Sequence, residues 1–235
     1  MLFPILHAIL KKTPQNGGSN LKIENGSKLI FIGDSITDFD RARPCGEGLF
    51  DAIGKSYVGL VDGLLKATYP ESRIRVINMG TSGNTTRDLK ARWQTDVLDL
   101  HPDWLSIFIG VNDVWRQFDT PLITENHVGL EEYEANLTEL IEKTLPVLKG
   151  LILITPYFME PNRSDPMRAR MDQYGAVVKR LAEKYGAILV DVQSAFDDYF
   201  RFYHPASIQW DRIHPNTVGH TLIAREILKQ LDYQW

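Results

Sequence analysis

Two short segments far apart in the chain carry side chains of complementary chemistry. Gly33-Asp34-Ser35-Ile36-Thr37 follows an apolar run, and Asp211-Arg212-Ile213-His214 lies much further along. A serine hydroxyl hardly ionises near neutral pH, so it attacks a carbonyl only when a base removes its proton and a third group orients that base. Ser35 as nucleophile, His214 as base and Asp211 as orienting carboxylate fill those roles. Of the six histidines only His214 has an acidic residue three positions before it; His7, His101, His127, His204 and His220 do not. An imidazolium cannot take the serine proton, so activity is expected to fall as His214 protonates in acid.

Acyl transfer also needs donors aimed at the oxygen that becomes negative in the tetrahedral intermediate. Ser82-Gly83-Asn84 and Gly110-Val111-Asn112-Asp113 supply them. Asn112 offers a neutral side-chain NH2, and the backbone N–H groups of Ser35 and Gly83 complete the expected oxyanion hole, since glycine allows close approach of chain to ligand. Gly110 reads as an ordinary turn glycine. Asp34 and Asp113 read as capping and turn residues rather than as the carboxylate pair of a glycosidase. No HExxH helix or ligand cluster at suitable spacing occurs, so neither metal nor cofactor is expected. Each segment also has an ordinary explanation: Asp34, Ser35 and Thr37 cap helices well, and Asp211 to His214 could be a surface turn before a helix capped by Asn216 or Thr217. Their joint presence favours chemistry.

Positioning these residues requires a scaffold. Lys28 to Ile32, Arg73 to Ile77, Trp104 to Ile109, Leu151 to Thr155 and Ile188 to Asp191 are short β-branched runs that predict five strands. Apolar residues at three- and four-residue spacing predict helices over Tyr57 to Tyr69, Thr85 to Leu98, Glu131 to Leu148, Pro166 to Tyr185 and Thr217 to Leu231. The alternation implies an α/β fold, a three-layer α/β/α sandwich with a five-stranded parallel sheet in the flavodoxin-like order 2-1-3-4-5. In such sheets ligands bind outside the carboxyl ends of the strands. The Ser35, Gly83 and Asn112 segments all fall there.

The 235 residues, 43% of them hydrophobic, suffice for one domain over residues 21–235. Residues 1–20 read as a flexible leader or as an arm docked on a neighbouring subunit; Leu2 to Leu10 is apolar but too short to span a bilayer. A formal charge of -4 without a long Lys/Arg run argues against nucleic acid as a partner. Cys45 is the only cysteine, which fits a reducing, cytoplasmic setting and rules out an intrachain disulfide. Trp210, beside Asp211, and Trp115 are candidate substrate-binding aromatics; Tyr157 and Phe158 read as core. The segment from Val114 to Leu130 is long for a connection and reads as a lid, a substrate wall or a subunit contact. Arg41, Arg43 and Arg116 are expected to tie loops to carboxylates.

The four blocks around Ser35, Gly83, Asn112 and Asp211/His214 resemble the SGNH, or GDSL, hydrolase superfamily. By that resemblance Ser35 is nucleophile and first oxyanion donor, Gly83 and Asn112 are the other donors, and Asp211 and His214 complete the triad. Asp38 to Pro44, Arg87 to Trp93, Val114 to Gln117, Asp165 to Arg168 and Trp210 are similar to a narrower group, the bacterial intracellular acetylxylan esterases. That implies removal of acetyl groups from acetylated xylo-oligosaccharides, no membrane partner, and assembly as a homo-oligomer. Two other readings compete: a lipid or thioester hydrolase of the same superfamily, and a catalytically silent binding module.

Overall fold

A computed structural model describes residues 21–235. The expected leader over 1–20 lies outside them. Among the described residues five strands, β1 (Lys28–Gly33), β2 (Arg75–Gly80), β3 (Trp104–Phe108), β4 (Gly150–Ile154) and β5 (Ile188–Val190), form one parallel sheet in the order β2-β1-β3-β4-β5. This is the topology anticipated from the sequence. Nearly every residue of the three inner strands is buried, as a sheet covered on both faces requires.

Among the same residues eight α-helices surround the sheet: α1 (Ser35–Asp38), α2 (Tyr57–Thr68), α3 (Thr86–Asp96), α4 (Val111–Asp119), α5 (Leu130–Thr144), α6 (Pro166–Tyr185), α7 (Val192–Tyr199) and α8 (Thr217–Gln230). In a parallel sheet of this order, right-handed crossovers would put α2 on one face and α3, α5 and α6 on the other. Packing follows that division, with α2 and α7 against α8, and α3 and α6 against α5. The three-layer sandwich is therefore complete.

Three elements differ from expectation. Strand β2 was expected over Arg73 to Ile77 but runs from Arg75 to Gly80. Its end is pulled inward because the buried Asn78 amide donates to the carbonyls of Thr37 (2.6 Å) and Ile53 (2.9 Å). The segment from Val114 to Leu130 is not one long connection: its first part belongs to α4, and a single 3-10 turn (Thr124–Asn126) occupies the remainder. Helix α7 was not expected; Asp191 caps it by accepting from Ser194 N–H at 3.2 Å.

Candidate active site

Ser35 is the first residue of α1, directly after β1. Asp34 caps this single turn, its Oδ1 accepting from Ile36 N–H at 3.0 Å. There is no spare room beneath it. A Cβ on Gly33 would collide with Thr37 Oγ1 and the Phe108 carbonyl, and one on Gly80 would collide with Asp38 backbone nitrogen. Burial pushes the Asp34 carboxyl up to about 7, against the Ile36 hydrogen bond and with the charge of nearby Asp113 adding to the rise.

Asp211 and His214 lie on the loop between α7 and α8. Asn216 caps α8, accepting from Val218 N–H at 2.9 Å, so Pro215 stays outside the helix. Asp211 folds this loop around its carboxylate. Its Oδ1 accepts from the backbone N–H of Ile213 (2.9 Å) and His214 (2.8 Å), while Oδ2 meets His214 Nδ1 at 2.6 Å. The other ring nitrogen, Nε2, is 2.9 Å from Ser35 Oγ. Asp211 accepts at Nδ1–H, leaving the unprotonated Nε2 to take the serine proton. Burial would raise the Asp211 carboxyl, but the bonds from His214 and Ile213 outweigh it and hold the group below the usual carboxylate range. The Ser35 hydroxyl, the imidazole and the Asp211 carboxylate are thus already within hydrogen-bond distance in sequence.

Gly83 and Asn112, the other two residues expected to donate to an oxyanion, follow the ends of β2 and β3. Gly83 has φ +81°, a conformation that side-chain-bearing residues resist, and the space where its Cβ would stand is open. Among the described residues, the backbone N–H groups of Ser35 and Gly83 donate to no protein acceptor. The preceding Ser82 is tied to α1, the helix that begins with Ser35: Asp38 accepts from Ser82 N–H (3.0 Å) and Oγ–H (2.9 Å) and from Arg43 (2.6 Å). Burial would raise the Asp38 carboxyl, yet those bonds keep it below its ordinary value. Asn112, in the first turn of α4, is 2% exposed and donates from Nδ2 to the Asn84 carbonyl at 3.0 Å. Its neighbour Asp113 turns away and receives Thr86 N–H (3.0 Å) and Oγ–H (2.6 Å); burial pushes its carboxyl up to about 6.

Two tryptophans flank the His214 ring, Trp115 edge-on at 5.9 Å and Trp210 stacked at 6.5 Å between centroids. Trp210 is 85% exposed and Trp115 half-buried. Tyr157 and Phe158 are core residues, as expected, but Tyr157 also braces the active site, because its hydroxyl donates to the Ile213 carbonyl at 2.7 Å and holds the His214 loop. Position alone, after β4, carried no signal of that bond. Arg43 meets Asp38 and Arg116 meets Asp119, as expected. Arg41, buried where the chain turns, instead donates to the carbonyls of Gly80 (2.6 Å) and Pro44 (2.8 Å).

The GDSL-like lipase/acylhydrolase family model matches residues 31–222. The chain belongs to that family. An acetylxylan esterase from Geobacillus stearothermophilus is 55% identical over 215 residues, covering 92% of this chain and 98% of the relative. The crystal structure of that esterase superposes with a TM-score of 0.90. Crystal structures of its catalytic mutants, in which a serine, an aspartate or a histidine is replaced by alanine, match equally well at 54% identity and a TM-score of 0.90. An α/β hydrolase from the metagenome of Lake Arreo is 56% identical with a TM-score of 0.89, covering 92% of this chain and 99% of its own. Among the described residues, no helix is long and apolar enough to cross a membrane.

Proposed function

We propose that this family member is a serine esterase that removes acetyl groups from acetylated xylo-oligosaccharides through an acyl-enzyme on Ser35. The observation that carries the reading is the continuous relay Ser35 Oγ, His214 Nε2, His214 Nδ1, Asp211 Oδ2, at 2.9 and 2.6 Å. Ser35 Oγ attacks the acetyl carbonyl as its proton passes to Nε2. Ser35 N–H, Gly83 N–H and the Asn112 amide receive the oxyanion. Collapse breaks the bond to the sugar oxygen, which takes the proton back from Nε2. Water, deprotonated by the same nitrogen, attacks the acyl-enzyme, and as acetate leaves, Nε2 returns the proton to Ser35 Oγ.

The acetylated-sugar substrate is supported by the resemblance to the Geobacillus esterase and by the bare Trp210 ring beside His214, a flat apolar surface of the kind that sugar rings stack on. Trp115 closes the opposite side. Assembly as a homo-oligomer is supported by large exposed apolar side chains, among them Leu49, Phe50, Leu122 and Trp235; a solution mass equal to one chain would count against it. A cytoplasmic setting is supported by the single, half-buried Cys45, and cell fractionation checks it.

Chain-length profiling tests the substrate reading. Acetyl esters of xylo-oligosaccharides should turn over rapidly and octanoyl esters poorly. The reverse preference would make the protein a lipid or thioester hydrolase, and absence of turnover on every ester would leave only a binding module.

A further inference from the structure

Resting on that reading of Asn112, we propose that Arg116 is a positioning residue that locks the Asn112 amide with its nitrogen toward the oxyanion. An asparagine side chain can present either oxygen or NH2 to a ligand, and the two orientations differ little in shape. In the oxyanion hole one of them donates and the other repels. The choice here is made by two neighbours of opposite character. The Asn84 carbonyl, which only accepts, faces Nδ2 at 3.0 Å, and the Arg116 guanidinium, which only donates, faces Oδ1 at 3.3 Å. A flipped amide would set oxygen against oxygen and NH2 against guanidinium.

Both neighbours are themselves held. Arg92 Nε donates to the Asn84 side-chain oxygen at 2.6 Å. Arg116 pairs with Asp119 and lies over the Trp115 ring at 5.1 Å. Helix α4 supplies the geometry, since residues four apart share a helix face. With one N–H of Asn112 given to Asn84, the second remains for the substrate oxygen. The positive charge on Oδ1 also draws electron density from the amide and makes that N–H a better donor.

A double-mutant cycle on the full chain tests this. Steady-state kcat and KM for p-nitrophenyl acetate are measured for wild type, Asn112→Ala, Arg116→Ala, Arg116→Lys and the double variant Asn112→Ala/Arg116→Ala, with thermal melts to confirm folding. Arg116→Ala should lower kcat roughly ten- to a hundredfold with KM nearly unchanged, and Arg116→Lys should recover part of it. The double variant should fall no further than Asn112→Ala alone, because Arg116 has then lost the group it acts through. Wild-type kcat in Arg116→Ala, or a full additional loss in the double variant, overturns the proposal while leaving Asn112 in the hole. Wild-type kcat in Asn112→Ala overturns both. Should Arg116→Ala melt early, Arg116→Lys with and without Asn112→Ala carries the same comparison.

Discussion

Ser35 stands on a turn with no free volume under it, whereas His214 stands on a loop in which Trp210 is 85% exposed. The contrast follows from how each segment is made. Around Ser35, Gly33 and Gly80 let β1, β2 and α1 close to backbone contact. Around His214, the loop is shaped by its own Asp211 carboxylate and fastened from below by Tyr157. Ser35 is thus fixed by sterics and His214 by hydrogen bonds, so substitutions on the two sides should fail in different ways.

The largest effect should be common to both sides. Ser35→Ala or His214→Ala should reduce kcat for p-nitrophenyl acetate by roughly 10⁴- to 10⁶-fold with an unchanged melting curve; retention of a tenth of the activity in either would remove that residue from the mechanism. Asn112→Ala should reduce kcat by about 3 to 4 kcal/mol in transition-state stabilisation while the circular dichroism spectrum stays intact. Gly33→Ala separates the sides: its methyl has nowhere to go, and a loss of about 1 to 3 kcal/mol in urea unfolding is expected. An unaltered midpoint would show that this side is looser than its packing implies.

The two carboxylates beside the reacting atoms should titrate in opposite senses. Asp34 is raised to about 7 in the folded protein, so the native state holds a proton that the unfolded chain has released. Its contribution to stability is complete below the unfolded carboxylate value and disappears as pH rises towards 7. Asn at position 34 keeps an oxygen for Ile36 N–H, and Asp34→Asn should remove that part of the decline in melting temperature between pH 4 and 7. Asp211 is depressed, so its contribution is present above the unfolded value and lost as pH falls through the folded one. Asp211→Asn should therefore flatten the acid limb instead; matching slopes in the two variants would contradict the contrast. The smallest effect is expected at Trp210: Trp210→Ala should alter unfolding by less than about 0.5 kcal/mol, as an exposed side chain allows, and raise KM for oligosaccharide esters more than for p-nitrophenyl acetate.

Where hydrophobic period and residue chemistry agreed, the sequence was readable. The five strands follow from β-branched runs separated by amphipathic helices, and their order is the flavodoxin-like one expected of that class. Asp211 and His214 stood out because His214 is the histidine with an acidic residue three positions ahead, and they gained weight only together with the Ser35 segment. Legibility failed where tertiary partners overrode local signals. The second strand was expected to end at Ile77, yet Asn78, Met79 and Gly80 continue β2 because the Asn78 amide is consumed by backbone carbonyls and Gly80 fits against α1. In α4 the signal was present but masked: Val111, Val114, Trp115 and Phe118 recur at helical spacing, while the intervening Asn112, Asp113, Arg116 and Gln117 suggest a loop. Helix α7 offered only Val192 and Phe196 as inward anchors over two turns. Tyr157's bond to Ile213 had no local signature, since it joins residues 56 positions apart.

The serine–imidazole contact spans 179 positions, and that separation has a consequence for synthesis. Strand β1 is flanked on both sides once β2 and β3 exist, so a ribosome that has released the first half of the chain can already have its alcohol-bearing turn in place. His214 arrives only with the loop that precedes α8, whose His220 receives Tyr57 N–H at 3.2 Å and seats that helix on α2. If Ser35 and His214 act as proposed, nascent chains halted before residue 214 should lack esterase activity, and competence should come with docking of the carboxyl-terminal segment.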